Sequence, residues 1–248
     1  MRAFAPLFSL LLAALLALPA TAADYAREKK WAEEVLPAVL TGDPVWLEVL
    51  KGPHSGRKFL TLYTEAPDAK AGVIVVHGMG VHPDWGLIGP LRQTLPEHGY
   101  ATLSVQMPVL KADAKGEDYP ATFDEASARL AQAVAFMEAK GYKKIALVSH
   151  SMGCRMTARY LEITPNAPIQ AWVAVGASEA LDYGKLKFPV LDMYGENDLP
   201  QVLKVAAQRG KGLKGKSAQV VVPKADHFFE GRDNDLLENV RGFLDKAL

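Results

Sequence analysis

The sequence predicts an α/β protein with a doubly wound, mostly parallel sheet and helices on both faces. The first observation is that six apolar runs of strand length alternate with stretches of helical periodicity from residue 72 onward. The second is that these runs lack the polar–apolar alternation of a half-exposed strand, which indicates burial on both faces. Strand–helix alternation with buried strands calls for a parallel sheet covered by helices, and right-handed crossovers wind it in both directions.

The region before residue 72 follows a different pattern. Residues 25–40 carry apolar side chains at helical spacing and predict an amphipathic helix that ends near Thr41 and Gly42. The segments VWLEVL and KFLTLYTEA then alternate apolar and polar residues around the turn-rich KGPHSGR. That alternation predicts an N-terminal antiparallel hairpin of two half-buried strands. The apolar residues on the predicted helical face are Trp31, Val35, Leu36, Val39 and Leu40.

The remaining elements follow in strict alternation to the end of the chain. The predicted parallel strands are GVIVVHG, ATLSVQMP, KIALVSHS, IQAWVAVGA, FPVLDMYG and AQVVVPKADH. The predicted helices are LIGPLRQTLPEHG, ATFDEASARLAQAVAFMEAKG, MGCRMTARYLEIT, LPQVLKVAAQRG and the C-terminal NDLLENVRGFLDKAL. Because no repeat, low-complexity tract or Pro/Gly-rich linker interrupts this pattern, residues 23–248 are predicted to form a single domain.

The first 22 residues have the layout of a secretory signal peptide. One basic residue, Arg2, precedes an apolar run from Leu7 to Leu18, and the small-residue triplet 20–22 has the A-x-A cleavage pattern. The apolar run has twelve residues, whereas a membrane-spanning helix needs about 20. We therefore predict cleavage after Ala22, no stable membrane anchor after cleavage, and a periplasmic or secreted location.

Composition excludes some classes of partner and scaffold. The 248 residues carry 28 basic and 28 acidic side chains, and no cluster of basic residues could bind a phosphate backbone. Nucleic acid is therefore not an expected partner. The single cysteine, Cys154, cannot form an internal disulfide, and its position in a predicted helix favours a core residue over a reactive thiol.

Residue types suited to catalysis follow several of the predicted parallel strands. Ligands bind open α/β sheets at the carboxyl ends of the strands. The first parallel strand is followed by HGMGVHPDW, the third by SHSMG, the fifth by GEND and the sixth by ADHFFEG. Because these exits meet at one edge of a parallel sheet, the sequence predicts one site assembled from all of them.

Ser151 is the candidate nucleophile at this edge. A nucleophile elbow, G-x-S-x-G, holds serine on a sharp strand-to-helix turn, where small neighbours avoid clashes. Here the pattern is SHSMG, so Ser149 replaces the first glycine with another small residue, and Gly153 keeps the second. The predicted strand before Ser151 and the predicted helix after it supply the context that the elbow requires.

A nucleophilic serine needs a base and an orienting carboxylate. His227 follows the last strand and is the candidate base, and Asp198 follows the fifth parallel strand and is the favoured acid. Glu196 remains a competitor for the role of the acid. Asp192 lies within the predicted strand, and Asp226 is the neighbour of His227, where adjacent side chains tend to point apart.

A serine nucleophile attacking an acyl group also needs donors for the negative oxygen of the tetrahedral intermediate. The backbone N–H of Met152, directly after the nucleophile, is one candidate. The second is the backbone N–H of Met79 in the glycine-flanked segment HGMG after the first parallel strand.

Four motifs in this order resemble the α/β-hydrolase superfamily across residues 45–248. VIVVHGMG, LVSHSMG, VLDMYGENDLP and ADHFF stand where that superfamily places its oxyanion loop, nucleophile, acid and base. The stretch HGMGVHPDWGLIGPLRQTLPEHGYATLSVQMP is more narrowly similar to a poorly characterised family of exported bacterial α/β-hydrolase-like proteins. The resemblance implies an α/β-hydrolase fold.

The expected function is therefore an exported serine hydrolase acting on carboxylic esters or related acyl compounds. The expected partner is a small acyl substrate, and the expected reaction needs no cofactor and no metal. His77, His82 and Asp84 lack further ligands for a metal site. Amide or thioester cleavage stays open within this class. The alternative from another class is a non-catalytic envelope protein that uses the same fold for binding or assembly.

The spacing of the elements also predicts an open site. Only ten residues, 178–187, separate the fourth and fifth parallel strands, which is too few for a helical cap domain. The loop at 109–120 is polar and charged. We therefore expect a shallow site that favours short acyl groups, because long acyl chains require a deep apolar pocket.

Overall fold

The structure, a computed structural model that describes residues 23–248, contains one eight-stranded sheet. The predicted signal peptide at residues 1–22 lies outside the described residues. The strands are β1 (Asp43–Glu48), β2 (Lys58–Thr64), β3 (Ala71–Val76), β4 (Tyr100–Val105), β5 (Ile145–His150), β6 (Ala171–Val175), β7 (Val190–Gly195) and β8 (Ala218–Val222). Their spatial order is β1-β2-β4-β3-β5-β6-β7-β8.

The pairing directions match the predicted fold class. β2 pairs antiparallel with both β1 and β4, and each later neighbour pair is parallel. The chain starts the parallel part with β3 at its centre, then adds β4 on one side and β5 to β8 on the other. This reversal of strand order produces a doubly wound sheet, and the predicted fold class is confirmed.

In the part of the chain that the structure describes, six α-helices accompany the sheet. They are α1 (Tyr25–Val35), α2 (Ile88–Thr94), α3 (Phe123–Ala139), α4 (Met152–Ile163), α5 (Pro200–Gly210) and α6 (Asp233–Ala247). One apolar core joins the sheet to α3 and α4, and a second core, on the opposite face, joins it to α2 and α6. In β3, Ile74 and Val76 belong to the first core and Val73 and Val75 to the second. This two-sided burial explains why the central strands read as continuous apolar runs.

The N-terminal region confirms the hairpin and corrects two details. β2 is buried on both faces, not half-buried, because α1 covers Leu60 and Leu62 on the face opposite the main core. The first helix ends at Val35 and continues only as a 3-10 turn over Leu36–Ala38. Proline disrupts a continuing α-helix, and Pro37 stands in this turn. Leu40 is consequently 96% exposed and does not belong to the buried face.

The segments that border the carboxyl edge are short. Between β6 and β7, residues 178–187 contain a single 3-10 turn, Tyr183–Lys185. The loop between β4 and α3 is exposed from Lys111 to Asp113 and ends in a 3-10 turn, Tyr119–Thr122. Within residues 23–248, no helix has the length and apolar character needed to cross a membrane.

Candidate active site

Three side chains from three strand exits meet at the carboxyl edge of the sheet. Ser151 follows β5, Asp198 follows β7 and His227 follows β8. The Oγ of Ser151 lies 2.9 Å from Nε2 of His227, and Nδ1 of His227 lies 2.6 Å from Oδ1 of Asp198. In a neutral imidazole, this arrangement lets the Ser151 hydroxyl donate to Nε2 while Nδ1–H donates to the carboxylate. The result is a continuous hydrogen-bonded series from Ser151 through His227 to Asp198.

Ser151 has the backbone conformation of a nucleophile elbow. Its φ of 54° and ψ of −120° lie in a region that non-glycine residues rarely adopt. The turn is held on both sides, because the Ser151 N–H donates to the Val175 carbonyl at 2.9 Å and the Cys154 N–H donates to the Ser151 carbonyl at 2.9 Å. The surrounding structure maintains this strained conformation. In a nucleophile elbow, such a turn exposes the serine hydroxyl at the edge of the sheet.

Small residues around Ser151 make this turn possible. The hydroxyl of Ser149 is buried, lies 2.8 Å from the Thr157 hydroxyl and accepts a bond from the Trp172 indole N–H at 3.0 Å. Serine therefore fits the position where the elbow pattern has its first glycine. A Cβ at Gly153 would lie 2.5 Å from the His77 carbonyl oxygen, so α4 can approach the exit of β3 only with glycine there.

The carboxylate of Asp198 is buried, and both of its oxygens accept hydrogen bonds. In addition to His227, its Oδ1 accepts the Leu199 N–H at 2.7 Å and its Oδ2 accepts the Gly195 N–H at 3.2 Å. Backbone donors on both oxygens restrict the rotation of this carboxylate. Asp198 is thus a fixed acceptor for the imidazole.

The rival carboxylates have other partners. Glu196 is exposed, and its Oε2 accepts the Lys224 N–H at 2.8 Å. Asp192 is buried and forms an ion pair with Arg209 at 2.9 Å. Asp226 accepts the Phe228 N–H at 2.9 Å. Among the four carboxylates weighed from the sequence, the structure brings only Asp198 to His227.

The HGMG loop runs beside the candidate nucleophile. A Cβ placed on Gly78 would lie 3.2 Å from Cβ of Ser151, so the backbone that leads to Met79 lies next to the serine. Met152 begins α4, and the first N–H groups of a helix have no acceptor within the helix. Within residues 23–248, the Met79 N–H donates to no backbone or side-chain acceptor. Both N–H groups are therefore available to a ligand.

His77 fixes the orientation of this loop. Its Nδ1–H donates to the Gly78 carbonyl at 2.8 Å, and its Nε2 accepts the Met107 N–H at 2.9 Å. Burial lowers the pKa of His77 to about 3, so the ring stays neutral. In a trans peptide the carbonyl and the next N–H point in opposite directions. Holding the Gly78 carbonyl toward His77 therefore turns the Met79 N–H away from it.

Two further residues support His227 and are not assigned a specific role from the sequence. His150 donates Nε2–H to the His227 carbonyl at 2.9 Å, and the two rings lie 4.7 Å apart. Burial, with the nearby His227 as the next cause, lowers the pKa of His150 to about 3, which keeps it a neutral donor. A Cβ at Gly176 would lie 3.0 Å from Cε1 of His227, so the exit of β6 leaves room for the imidazole. Gly176, directly after β6, is the local sequence signal for this contact.

The other candidates from the sequence have structural partners. Asp84 accepts from Arg92 at 2.6 Å, and Nδ1 of His82 accepts the Asp84 N–H at 3.3 Å. Within the described part of the chain, no group of three or more His, Cys, Asp or Glu side chains could hold a metal ion. Cys154 is buried in the core and its thiol faces the Ser149 carbonyl at 3.3 Å; burial raises its pKa.

Family comparison assigns the chain. A family model described as "Protein of unknown function (DUF3530)" matches residues 4–126 and 110–246, which together cover almost the whole sequence. The chain belongs to the DUF3530 family. A comparison with curated proteins finds no match for this DUF3530 protein.

Solved structures of similar fold include a dienelactone hydrolase and an esterase. Dienelactone hydrolase from Anabaena variabilis is 20% identical with a TM-score of 0.67, over 83% of this chain and 98% of that one. A cold-adapted esterase from an Arctic intertidal metagenomic library is 18% identical with a TM-score of 0.66, over 83% and 93%. Est1E from Butyrivibrio proteoclasticus is 16% identical with a TM-score of 0.63, over 82% and 98%. This likeness shows that the DUF3530 protein has the α/β-hydrolase fold.

Proposed function

We propose that this DUF3530 protein is an exported serine hydrolase that cleaves carboxylic esters or related acyl compounds. The observation that carries the proposal is the hydrogen-bonded series from Ser151 through His227 to Asp198, with the serine on a strained strand-to-helix turn. A serine hydroxyl is inert near neutral pH unless a base takes its proton, and this geometry supplies the base and its orienter. The hydrolase neighbours in fold agree with this reaction class.

The proposed reaction proceeds in two halves. Ser151 Oγ attacks the substrate carbonyl carbon while its proton moves to His227 Nε2, and the resulting oxyanion is bound by the N–H groups of Met79 and Met152. The tetrahedral species collapses, the bond to the leaving alcohol breaks, and His227 returns the proton to that oxygen. Water then attacks the acyl-serine with His227 as base, which releases the acid and restores Ser151. Asp198 holds the imidazole in the required tautomer throughout, and no step needs a cofactor.

An open site is expected to favour esters with short acyl chains. The cavity of about 980 Å³ between α4 and the 178–189 segment is lined by residues such as Leu161, Trp172 and Leu186 and includes none of the three proposed catalytic residues. We expect kcat/KM on p-nitrophenyl esters, presented as monomers, to be highest for acetate or butyrate. A steady rise toward long-chain esters would contradict an open site, and no hydrolysis of any ester would contradict the proposed function.

Export is proposed from the first 22 residues. With cleavage after Ala22, the mature chain begins directly before Asp24, whose carboxylate accepts the Arg27 N–H at 3.0 Å as the N-cap of α1. We expect intact-mass analysis of protein recovered from the cell envelope to give an N-terminus at Ala23. Recovery of the full-length chain from a membrane fraction would contradict cleavage.

A further inference from the structure

An exposed aromatic pair stands beside the proposed catalytic histidine. Trp85 is 36% exposed and Phe228 is 46% exposed, and their rings meet edge to face at 5.4 Å and 81°. The Phe228 ring also lies 5.1 Å from the imidazole of His227. Folding alone favours burying such large apolar side chains, and clustered exposure is typical of a binding surface.

Local structure holds both rings in place. Trp85 lies in a turned segment before α2, where its N–H donates to the His82 carbonyl at 3.1 Å and its carbonyl accepts the Ile88 N–H at 3.1 Å. After Phe228, Phe229 has a left-handed φ of 57° and is fully buried in the core. The chain therefore anchors one phenylalanine in the core and directs its neighbour outward. The pair is a preformed surface, which lowers the entropic cost of binding a ligand.

The position of the pair indicates which part of the substrate it would contact. In the proposed reaction His227 gives its proton to the leaving alcohol, so that alcohol must lie beside the imidazole. The oxyanion lies toward Met79 and Met152. We propose that Trp85 and Phe228 bind the alcohol portion of the substrate, and that the substrates are esters whose alcohol carries an aryl or similarly flat apolar group. This inference rests on the proposed function.

Two acetates with leaving alcohols of similar acidity test the inference. Benzyl acetate carries a ring in its alcohol, whereas 2-methoxyethyl acetate does not. We expect Trp85→Ala and Phe228→Ala each to lower kcat/KM on benzyl acetate by about tenfold, as expected for a lost aromatic contact in a binding site, and to change the other ester by less than about twofold. Trp46→Ala is the matched control, because Trp46 is exposed on β1 at the far end of the sheet order.

The outcomes separate this inference from the proposed function. Equal losses on both esters, or no loss on either, would overturn the role of the aromatic pair and leave the hydrolase proposal intact. If the folded wild-type protein hydrolyses neither ester nor any p-nitrophenyl ester, the proposed function fails and this inference fails with it.

An independent observation concerns α1, which contacts the loop that carries Met79. The Arg27 guanidinium donates to the Gly80 carbonyl at 3.0 Å and to the Leu110 carbonyl at 2.8 Å. The same group lies 4.4 Å above the ring of Trp31, which restricts its motion. Arg27 thereby ties the exits of β3 and β4 to the N-terminal helix.

The next residue of α1 connects to the same loop by a second route. Glu28 pairs with the fully buried Arg129 at 3.0 Å, and Arg129 donates to the Gln106 carbonyl at 2.9 Å. The following residue, Met107, donates its N–H to His77, which holds the Gly78 carbonyl. Two neighbouring residues of α1 therefore support one loop from both of its sides.

We infer that Arg27 is a positioning residue for the oxyanion loop, and this too rests on the proposed function. Arg27→Ala should lower kcat by about ten- to a hundredfold and leave KM within about twofold, since a donor to the oxyanion acts chiefly in the transition state. Arg27→Lys should recover part of the loss, because lysine can reach one carbonyl but not two. Lys30→Ala removes the same charge from the exposed face of the same helix and should leave kcat unchanged.

Thermal unfolding of each variant separates positioning from folding. A fall in kcat for Arg27→Ala at a temperature where the variant remains folded supports the inference. A kcat equal to that of Lys30→Ala, or a loss that only follows the unfolded fraction, would overturn it.

Discussion

Replacing Ser151 with alanine is expected to reduce ester hydrolysis by about 10⁶-fold, to the level of the remaining oxyanion donors and binding contacts. Only the hydroxyl group is removed, and its oxygen lies 2.9 Å from His227 Nε2. Alanine keeps the Cβ, so the strained turn at φ 54° is neither relieved nor worsened. Initial rates on p-nitrophenyl acetate, with thermal unfolding recorded in parallel, measure the effect.

Ser55→Ala is the matched control for this change. Ser55 lies in the exposed turn between β1 and β2, and its hydroxyl donates only to the Leu50 carbonyl. The control should retain wild-type rates. Substantial activity in folded Ser151→Ala would mean that another group is the nucleophile and would contradict the proposed mechanism.

The second large effect is expected at Asp198. Asp198→Asn should lower kcat by about 10⁴-fold, because the amide can donate to Nδ1 of His227 and so stabilise the tautomer that cannot accept the Ser151 proton. The side chain keeps its size, and the amide oxygen can still accept the Gly195 N–H, whereas the amide nitrogen that replaces Oδ1 loses the bond from Leu199. Steady-state kinetics on the same ester measure the change.

Glu196→Gln makes the same chemical change two residues away. Because Glu196 bonds to the Lys224 N–H at an exposed position, we expect less than about a threefold effect on kcat. A severe loss in Glu196→Gln together with a mild one in Asp198→Asn would reassign the acid.

The sequence contained the information for most of the fold. Strands β3 to β7 are buried and pack against helices, so their apolar runs directly report their environment. The expectation of burial on both faces is wrong for β8, because this strand lies at the edge of the sheet and its Val221 is 47% exposed. The site could also be predicted, because a parallel sheet brings the exits of β5, β7 and β8 to one edge whatever the conformation of the loops.

The parts that local pattern could not specify depend on tertiary contacts. Glu196 and Asp198 are two residues apart, and only the path of their loop decides which carboxylate meets His227. Arg27 and Gly80 are 53 residues apart, and nothing in either segment indicates their contact. Pro37 indicates that α1 ends near Val35, but a prediction from apolar spacing alone makes the helix too long.

Covalent labelling with an alkyl fluorophosphonate tests most directly whether Ser151 is an activated nucleophile. In this reaction Oγ bonds to phosphorus, fluoride leaves, and the serine proton passes to His227. We expect one adduct per protein, located on the Ser151 peptide by mass spectrometry, absent from Ser151→Ala and much slower to form in Asp198→Asn. A folded wild-type protein that does not react, or that reacts at another residue, would contradict the account and favour a non-catalytic envelope protein that uses this fold for binding or assembly.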